Sequence, residues 1–245
     1  MHRADPSTLV TSLFAGWREN KDEKRAARRA RQSHSRERWL GTNPRTVGAA
    51  RRRFLSRFAK DPDRAFDVAE HLMHLARYRE EKELAVSLLA ELAPRLTEAH
   101  LLRCVDWLTR IADTDLSDRL ARTLGPSVCA SPGAQRRLNQ MARAMDPMQR
   151  RAALQCAHGS LEGGTEAIRT ALLLAEMAAA DRSPLVQEAL AELLADVGDK
   201  APRQALPFLA RFSDDLPTRV LDAALSMLPA TLQRQVQADL QSRGR

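Results

Sequence analysis

The sequence predicts an all-α fold built from repeated helix pairs. Apolar residues make up 44% of the 245 residues, mainly as Leu and Ala, and aromatic residues only 4%. This composition favours packed helices over sheets. Apolar residues also recur three and four positions apart, as in Ala85, Leu88, Leu89 and Leu92, and strand-like alternation is absent. The length suits one large domain or a short array of helical repeats.

Turn signals divide the chain into segments of helical length. A Pro that follows a polar residue is expected in the first turn of a helix, where its missing N–H costs nothing. We therefore predict breaks between helices at 41–44, 61–63, 125–126, 131–133, 146–147, 183–184, 216–217 and 228–229.

The segments between these breaks resemble one another. They can be aligned so that one column holds Ala85, Ala121, Ala153, Ala189 and Ala223, at intervals of 36, 32, 36 and 34 residues. A small residue at this period lets neighbouring helices approach closely and predicts a HEAT-like helical-repeat solenoid, an α-α superhelix with a concave basic face. The alternatives are chance alignment of Ala-rich helices and a four-helix bundle with extra helices.

We expect a single domain over residues 1–245. Residues 1–60 would form basic N-terminal helices, 61–215 helix-pair repeats and 216–245 a closing helix pair. If the second helix of each pair lines the concave side, the residues just before the Ala column face the groove. These positions hold Lys82, Asp118, Arg150, Arg151 and Gln187. Such a polar, mostly basic lining is reasonable for binding phosphate.

Positive charge is concentrated near the N-terminus. The net charge is +8, and residues 18–60 contain 15 Lys or Arg against four acidic residues. Such a block attracts polyanions, which points to nucleic acid. The alternative is a solvated Arg-rich face that keeps the protein soluble.

Two groups of arginines carry this charge. The first is a predicted stripe along one helix face, at spacings of i, i+3, i+4, i+7 and i+11, formed by Arg25, Arg28, Arg29, Gln32 and Arg36. The second lies on the next predicted helix and consists of Arg51, Arg52, Arg53 and Arg57. Both groups are predicted to contact DNA phosphates.

Asp118 is the candidate catalytic residue. A carboxylate near the start of a groove-lining helix stays ionised because the helix dipole favours it, and the neighbouring Arg150 and Arg151 would lower its pKa. An ionised Asp repels DNA, so it requires a reason. One is stabilisation of a cationic, oxocarbenium-like sugar during base loss. The other is an ordinary structural ion pair.

Other kinds of site have little support. His71 and His74 lack a second ligand pair at metal spacing, and no motif for nucleotide hydrolysis or acyl transfer is present. Trp17, Trp39 and Trp107 are expected to pack between helices. The three cysteines lie far apart, and neither a membrane span nor a secretion signal is evident, so a cytoplasmic protein is expected.

The chain resembles the AlkD-like DNA alkylation repair family, the HEAT-like repeat alkylpurine DNA glycosylases. The resemblance spans about residues 20–215 and rests on the ordered segments WLGTNPRTVGAARRRF, LARYREEKELAVSLLAEL, TDLSDRLARTLG, QRRAALQCAHG and LVQEALAELLADVGDKAPRQALPFLARF. It implies a fold curved around duplex DNA. It also implies release of cationic N3- and N7-alkylpurines without metal, cofactor or a deep base-flipping pocket.

By position in the resemblance, Asp118 matches the catalytic Asp and Arg151 the Arg that contacts the backbone beside the lesion. Aromatic residues expected in the family are replaced here by Gln32, Thr114 and Glu192. Three hypotheses follow: a glycosylase of alkylated duplex DNA, a non-catalytic protein that binds bent, damaged or branched DNA, and an adaptor for an acidic protein.

Overall fold

The chain is all-helical in its computed structural model, which describes residues 5–33, 35, 37–58 and 60–242. This described part contains α-helices and two short 3-10 helices, at 93–95 and 161–163, but no strand. The α-helices are α1 Pro6–Glu19, α2 Glu23–Gln32, α3 Pro44–Phe58, α4 Pro62–Leu75, α5 Arg79–Leu92, α6 Glu98–Leu108, α7 Thr114–Ala130, α8 Pro132–Met141, α9 Pro147–Gly159, α10 Thr165–Ala178, α11 Pro184–Lys200, α12 Pro202–Phe212, α13 Thr218–Ser226 and α14 Ala230–Ser242.

Seven of the fourteen described α-helices begin at a predicted turn signal. Prolines start α3, α4, α8, α9 and α11, as expected for a residue that has no N–H to leave unpaired. The Asp61 carboxylate accepts the backbone N–H of Arg64 at the start of α4, and Asp146 accepts that of Met148 at the start of α9. These carboxylates pair amide groups that a helix N-terminus leaves exposed.

The predicted break at Gly125-Pro126 is wrong, because α7 continues through both residues. The glycine serves packing instead. A Cβ on Gly125 would lie 2.2 Å from the Cys156 carbonyl oxygen, and one on Gly159 would lie 2.0 Å from the Arg122 carbonyl oxygen. The two glycines therefore allow α7 and α9 to approach backbone to backbone.

The chain divides into two compact units, residues 1–120 (unit 1) and residues 121–245 (unit 2), with the boundary inside α7. In unit 1, α1 packs on α4, α3 packs on α5, and α4 packs on α5. In unit 2, α9, α11 and α13 pack side by side in one layer, with α8, α10 and α12 packed against it. The single domain over 1–245 stays a prediction.

The Ala column lies on α5, α7, α9, α11 and α13, the second helices of successive pairs. Ala85, Ala121, Ala153 and Ala189 are at most 1% exposed, whereas Ala223 on α13 is only half-buried. A larger side chain at these positions would separate packed helices, so the spacing recognised in the sequence reflects a packing requirement.

Two fully buried carboxylates hold unit 1 together. Glu80 accepts the backbone N–H groups of Leu40 and Gly41 at 2.9 and 2.8 Å. Glu81 accepts two hydrogen bonds from the Arg18 guanidinium, at 2.8 and 2.9 Å. The start of α5 is thereby bonded both to α1 and to the segment before α3.

None of the described helices combines the length and the apolar character that crossing a membrane requires.

Candidate nucleic-acid interface and active site

Two of the predicted arginines of α2 hold the segment that follows the helix. The Arg25 guanidinium donates to the Gly41 carbonyl at 3.0 Å, and Arg29 donates to the Thr42 carbonyl at 3.2 Å. Arg29 also lies 3.7 Å from the buried Glu80 carboxylate. Both residues thus have a structural role, but each guanidinium has further N–H groups that could reach a phosphate.

The remaining predicted residues of the α2 stripe differ from this pair. Arg28 and Gln32 are exposed, and the Arg28 side chain has no hydrogen bond or ion pair to any described residue. Because α2 ends at Gln32, Arg36 falls beyond this helix, contrary to the predicted single stripe, and it lies outside the described residues.

The α3 arginines also fall into paired and unpaired groups. Arg51 forms an ion pair with Glu91 of α5 at 3.1 Å. Arg52 and Arg53 are exposed and have no charged partner in the described part of the chain. Arg53 and Arg57 instead line an apolar cavity of about 480 Å³ between α1 and α3. Together with Arg28, these residues give unit 1 uncompensated surface charge.

Trp39 lies between two small adjoining pockets of unit 1. The first, of about 250 Å³, is also lined by Arg29, Gln32 and Glu83. The second, of about 270 Å³, is lined by Asp113, Thr114 and Asp115. The indole N–H of Trp39 is buried and has no acceptor among the described residues. We refer to the second cavity, residues Ser33, Ser35, Trp39, Arg79, Asp113, Thr114 and Asp115, as the Trp39 pocket.

Arg79 connects Trp39 to the carboxylates of its pocket. Its guanidinium carbon lies 4.6 Å from the centre of the indole ring. Its Nε donates to Asp113 at 2.7 Å, and its Nη2 donates to Asp115 at 2.6 Å. The pocket thus contains two carboxylates and one guanidinium. Its aromatic ring already contacts two planar cations, because the Arg29 guanidinium carbon also lies 5.7 Å from the ring centre.

Asp113 is buried but ionised. Burial acts to raise its pKa, but hydrogen bonds from Arg79, Ser35 and the Leu116 backbone N–H outweigh it, so the pKa of Asp113 is lowered. The bond from the Leu116 N–H, 2.8 Å long, also caps the start of α7. Asp113 therefore positions the first turn of this helix.

Asp118 lies on α7 and is half-buried. It follows Thr114 by four residues, which places the two on the same face of the helix one turn apart. Because Thr114 lines the Trp39 pocket, Asp118 lies one helical turn from its wall. Asp118 belongs to unit 1 and Arg151 to unit 2.

The predicted groove-lining cations are engaged in ion pairs. Lys82 pairs with Glu37 in unit 1. In unit 2, Arg150 pairs with Asp181 at 2.6 Å. Arg151 is 5% exposed and donates to the Glu188 carboxylate at 2.7 Å and the Leu185 carbonyl at 2.8 Å. The second helices of the pairs therefore present these cations together with neutralising carboxylates.

The same pattern continues along α9 and α11. The Gln155 amide donates to Glu192 at 3.0 Å, and Arg122 donates to the same carboxylate at 2.6 Å. His158 Nε2 lies 2.6 Å from Asp196. Glu192, where the family resemblance implies an aromatic residue, thus takes part in a polar network between helices.

Sequence reasoning missed Trp39, Arg79 and the buried pair Glu80 and Glu81. Trp39 was expected to pack between helices, whereas Trp17 and Trp107 do so at 8% and 3% exposure. The separation of the partners along the sequence could have predicted several of these polar contacts. Partners tend to lie about one repeat apart, as for Arg79 with Asp115, Arg151 with Glu188 and Gln155 with Glu192, which are separated by 36, 37 and 37 residues.

Comparison with known proteins identifies the family. A search of the solved structures finds similarity to a predicted DNA alkylation repair enzyme from Enterococcus faecalis, with a TM-score of 0.69 and 14% identity over 86% of this chain and 97% of that one. A search of the curated proteins gives no match. The model of the family described as DNA alkylation repair enzyme matches residues 15–228. This match extends over most of the chain, and the protein therefore belongs to the DNA alkylation repair enzyme family.

Proposed function

We propose that the protein binds alkylated duplex DNA and hydrolyses the N-glycosidic bond of cationic N3- and N7-alkylpurines, as a base excision repair enzyme of its family. The observation that carries this proposal is the position of Asp118, one helical turn from the Thr114 wall of the Trp39 pocket. An aromatic ring and carboxylates beside a further carboxylate suit a cationic base attached to a sugar that becomes cationic during the reaction.

In the proposed reaction, the bond between C1′ of the deoxyribose and the alkylated purine breaks. Its electron pair goes to the purine, which carries a positive charge beforehand and leaves neutral. Water adds to C1′ and loses a proton, and an abasic site remains. The Asp118 carboxylate would stabilise the cationic sugar electrostatically and orient the water, a role for which negative charge matters more than basicity.

Trp39 would supply the aromatic contact to the base. Gln32 and Thr114 stand where the family resemblance implies aromatic residues, and each lines a pocket to which Trp39 contributes. The segment before α3 thus brings one indole ring to both positions. Cation–π contact with an alkylated purine is worth about 1–2 kcal/mol when water is excluded, so we expect Trp39→Ala to reduce lesion-specific affinity about tenfold.

The arginines of α2 and α3 would hold the DNA backbone, with Arg28 and Arg52 as the principal phosphate contacts. Arg25 and Arg29 would contribute their remaining N–H groups, and the outer face of α3 would extend the surface. Such contacts are independent of base sequence and sensitive to salt.

The test is base release from methylated duplex DNA by the wild-type protein and by Asp118→Asn. The variant keeps the size of the side chain and removes its charge. We expect the wild type to release 3-methyladenine and 7-methylguanine and the variant to lose at least tenfold in rate, since electrostatic stabilisation of this kind is usually the largest single contribution.

Asp67→Asn provides the matched control, because Asp67 is an exposed residue of α4 in the same unit. It should leave the rate unchanged. Equal rates for Asp118→Asn and wild type would remove Asp118 from the reaction, and absence of release by the wild type would exclude the glycosylase.

A second function, binding of bent, damaged or branched DNA without cleavage, is favoured by one observation. Glu192 is held by Arg122 and Gln155, so this position of unit 2 offers no aromatic surface to a base. Salt-sensitive DNA binding without base release would select this function.

A further inference from the structure

Two consecutive loops of unit 2 are joined by one arginine. They are residues 142–146, between α8 and α9, and residues 179–183, between α10 and α11, and we call them together the loop edge. The Arg150 guanidinium donates to the carbonyls of Ala144 and Met145, both at 2.8 Å. It also donates to both carboxylate oxygens of Asp181, at 2.6 and 3.2 Å. A guanidinium has five N–H donors, so one arginine can bond to both loops at once.

The second loop is braced further from within. The Asp181 carboxylate accepts the backbone N–H of Ser183 at 2.8 Å, and the Asp181 carbonyl accepts the Gln187 side chain at 3.0 Å. The loop edge is therefore held in one conformation by bonds that cross between loops and bonds that return to α11. A surface so held loses little entropy when it binds a partner.

The loop edge presents three side chains to solvent. Met145 is 98% exposed, the most exposed of the large hydrophobic residues in the described chain. Arg143 and Arg182 are exposed, and their side chains form no hydrogen bond or ion pair with other described residues. One apolar and two cationic side chains thus stand on a braced edge.

The acidic residues of the edge offset these arginines only in part. Asp181 is paired with Arg150, whereas the exposed Asp146 carboxylate accepts the Met148 N–H at the start of α9 and keeps its negative charge. The helix-face cation Arg151 is paired with Glu188. In this part of unit 2, the positive charge available to a partner therefore lies on the loops rather than on the helix faces.

We propose that the loop edge is a second DNA-contacting surface, which rests on the proposed DNA-binding function. Arg143 and Arg182 bind phosphates, and Met145 packs into the minor groove against the bases. Apolar side chains, methionine among them, serve as wedges between base steps in proteins that bend DNA through the minor groove. The wedge would open the stack of the duplex that the loop edge contacts.

The first test measures binding of a 20-base-pair duplex by fluorescence anisotropy between 50 and 200 mM salt. Arg143→Gln with Arg182→Gln is expected to reduce the log–log salt slope by about 1.8, which corresponds to two phosphate contacts. The matched control is Arg136→Gln with Arg203→Gln, which removes the same charge from exposed, unpaired positions on α8 and α12. Its slope should equal that of the wild type.

The second test uses a duplex with a single 2-aminopurine, whose fluorescence rises when stacking is lost. Wild type is expected to raise the fluorescence at one position, and Met145→Ala to abolish the rise while leaving the salt slope unchanged. Thermal unfolding should be equal for the two proteins because Met145 has no packing to lose.

The outcomes separate this inference from the function beneath it. If the wild type binds duplex and the double variant Arg143→Gln, Arg182→Gln has the same log–log salt slope, the loop edge does not contact DNA. The proposed function is unaffected by that result. If the double variant binds DNA like the wild type but no longer binds polyglutamate, the partner of the loop edge is an acidic protein. A wild type that binds no duplex overturns the proposed function as well.

Discussion

The arginines predicted to contact DNA are all paired in unit 2, whereas unit 1 contains both paired and unpaired ones. In unit 2, the predicted helix-face cations Arg150 and Arg151 are each bonded to a carboxylate and a backbone carbonyl of a neighbouring segment. In unit 1, Arg28 and Arg52 are exposed and have no partner among the described residues. Residues 1–120 contain 24 Lys or Arg and 18 acidic residues, against 15 and 13 in the rest of the chain.

This difference shows that arginine content alone does not locate a phosphate-binding surface. An arginine whose guanidinium is bonded to carboxylates and carbonyls contributes to stability, and one without partners contributes its full charge to the field around the protein. We therefore expect paired arginines of either unit to affect unfolding, and unpaired arginines to affect DNA binding.

The largest expected effect concerns the buried carboxylate of Glu81, which pairs with Arg18 in unit 1. Glu81→Ala leaves the Arg18 guanidinium, 31% exposed, without its carboxylate and removes the acceptor of the Arg77 backbone N–H. We expect a loss of about 3 kcal/mol in the free energy of unfolding, measured by urea titration, because breaking such a pair leaves a charge poorly solvated.

Glu91→Ala is the control for this prediction. It removes the half-exposed partner of Arg51 and should cost less than about 0.5 kcal/mol. Similar costs for the two variants would contradict the structural role given to the buried pair.

Charge reversal of the unpaired arginines comes next. Arg28→Glu with Arg52→Glu should weaken binding of any duplex about thirtyfold near 0.1 M salt and lower the log–log salt slope by about 1.8, as expected for two lost phosphate contacts. Unfolding should be unaffected. Arg136→Glu with Arg203→Glu serves as the control of equal charge, and an equal loss in both variants would reduce the effect to net charge.

A smaller effect is expected from Arg151. Arg151→Met keeps the apolar stem and removes the bonds to Glu188 and Leu185. The comparison predicts a cost of about 1–2 kcal/mol in unfolding, since two hydrogen bonds are lost, and an unchanged salt slope for DNA. A slope lowered by about 0.9, with unaltered stability, would place Arg151 on a phosphate instead.

The smallest effect is a change in pH dependence. The pKa of Asp113 is lowered in the folded protein by its bonds to Arg79, Ser35 and Leu116. Its contribution is therefore present above the unfolded value of about 3.9 and is lost as the pH falls through the folded pKa. Asp113→Asn should cost about 1 kcal/mol near neutral pH and flatten the decline in stability below pH 4. An acid decline equal to that of the wild type would contradict this.

Much of the fold could be predicted because its signals are local. Proline and capping aspartates mark helix starts such as Pro62 and Pro147, and the Ala column marks close packing of second helices. The role of Gly125 could not be predicted from its neighbours in the sequence. A side chain is excluded there by the Cys156 carbonyl, which lies across a helix interface.

The candidate site was less accessible to sequence reasoning. The block of arginines indicated a binding surface, but which of them are neutralised depends on carboxylates about one repeat away, such as Glu188 for Arg151. Trp39 stands 75 residues before Thr114 in the sequence, and both line the Trp39 pocket because Glu80, Arg25 and Arg29 together hold the segment at residues 40–42.

The most direct test of the account is the fluorescence of Trp39 as the sole tryptophan. The protein used is the triple variant Trp17→Phe, Trp107→Phe, Asp118→Asn, in which the last substitution slows turnover. A duplex with one N7-methylguanine should quench its indole emission more strongly than the same duplex with guanine. The account predicts this difference because the cationic base would lie against the Trp39 ring. Equal emission with the two duplexes, both bound to saturation, would contradict the assignment of the lesion to the Trp39 pocket.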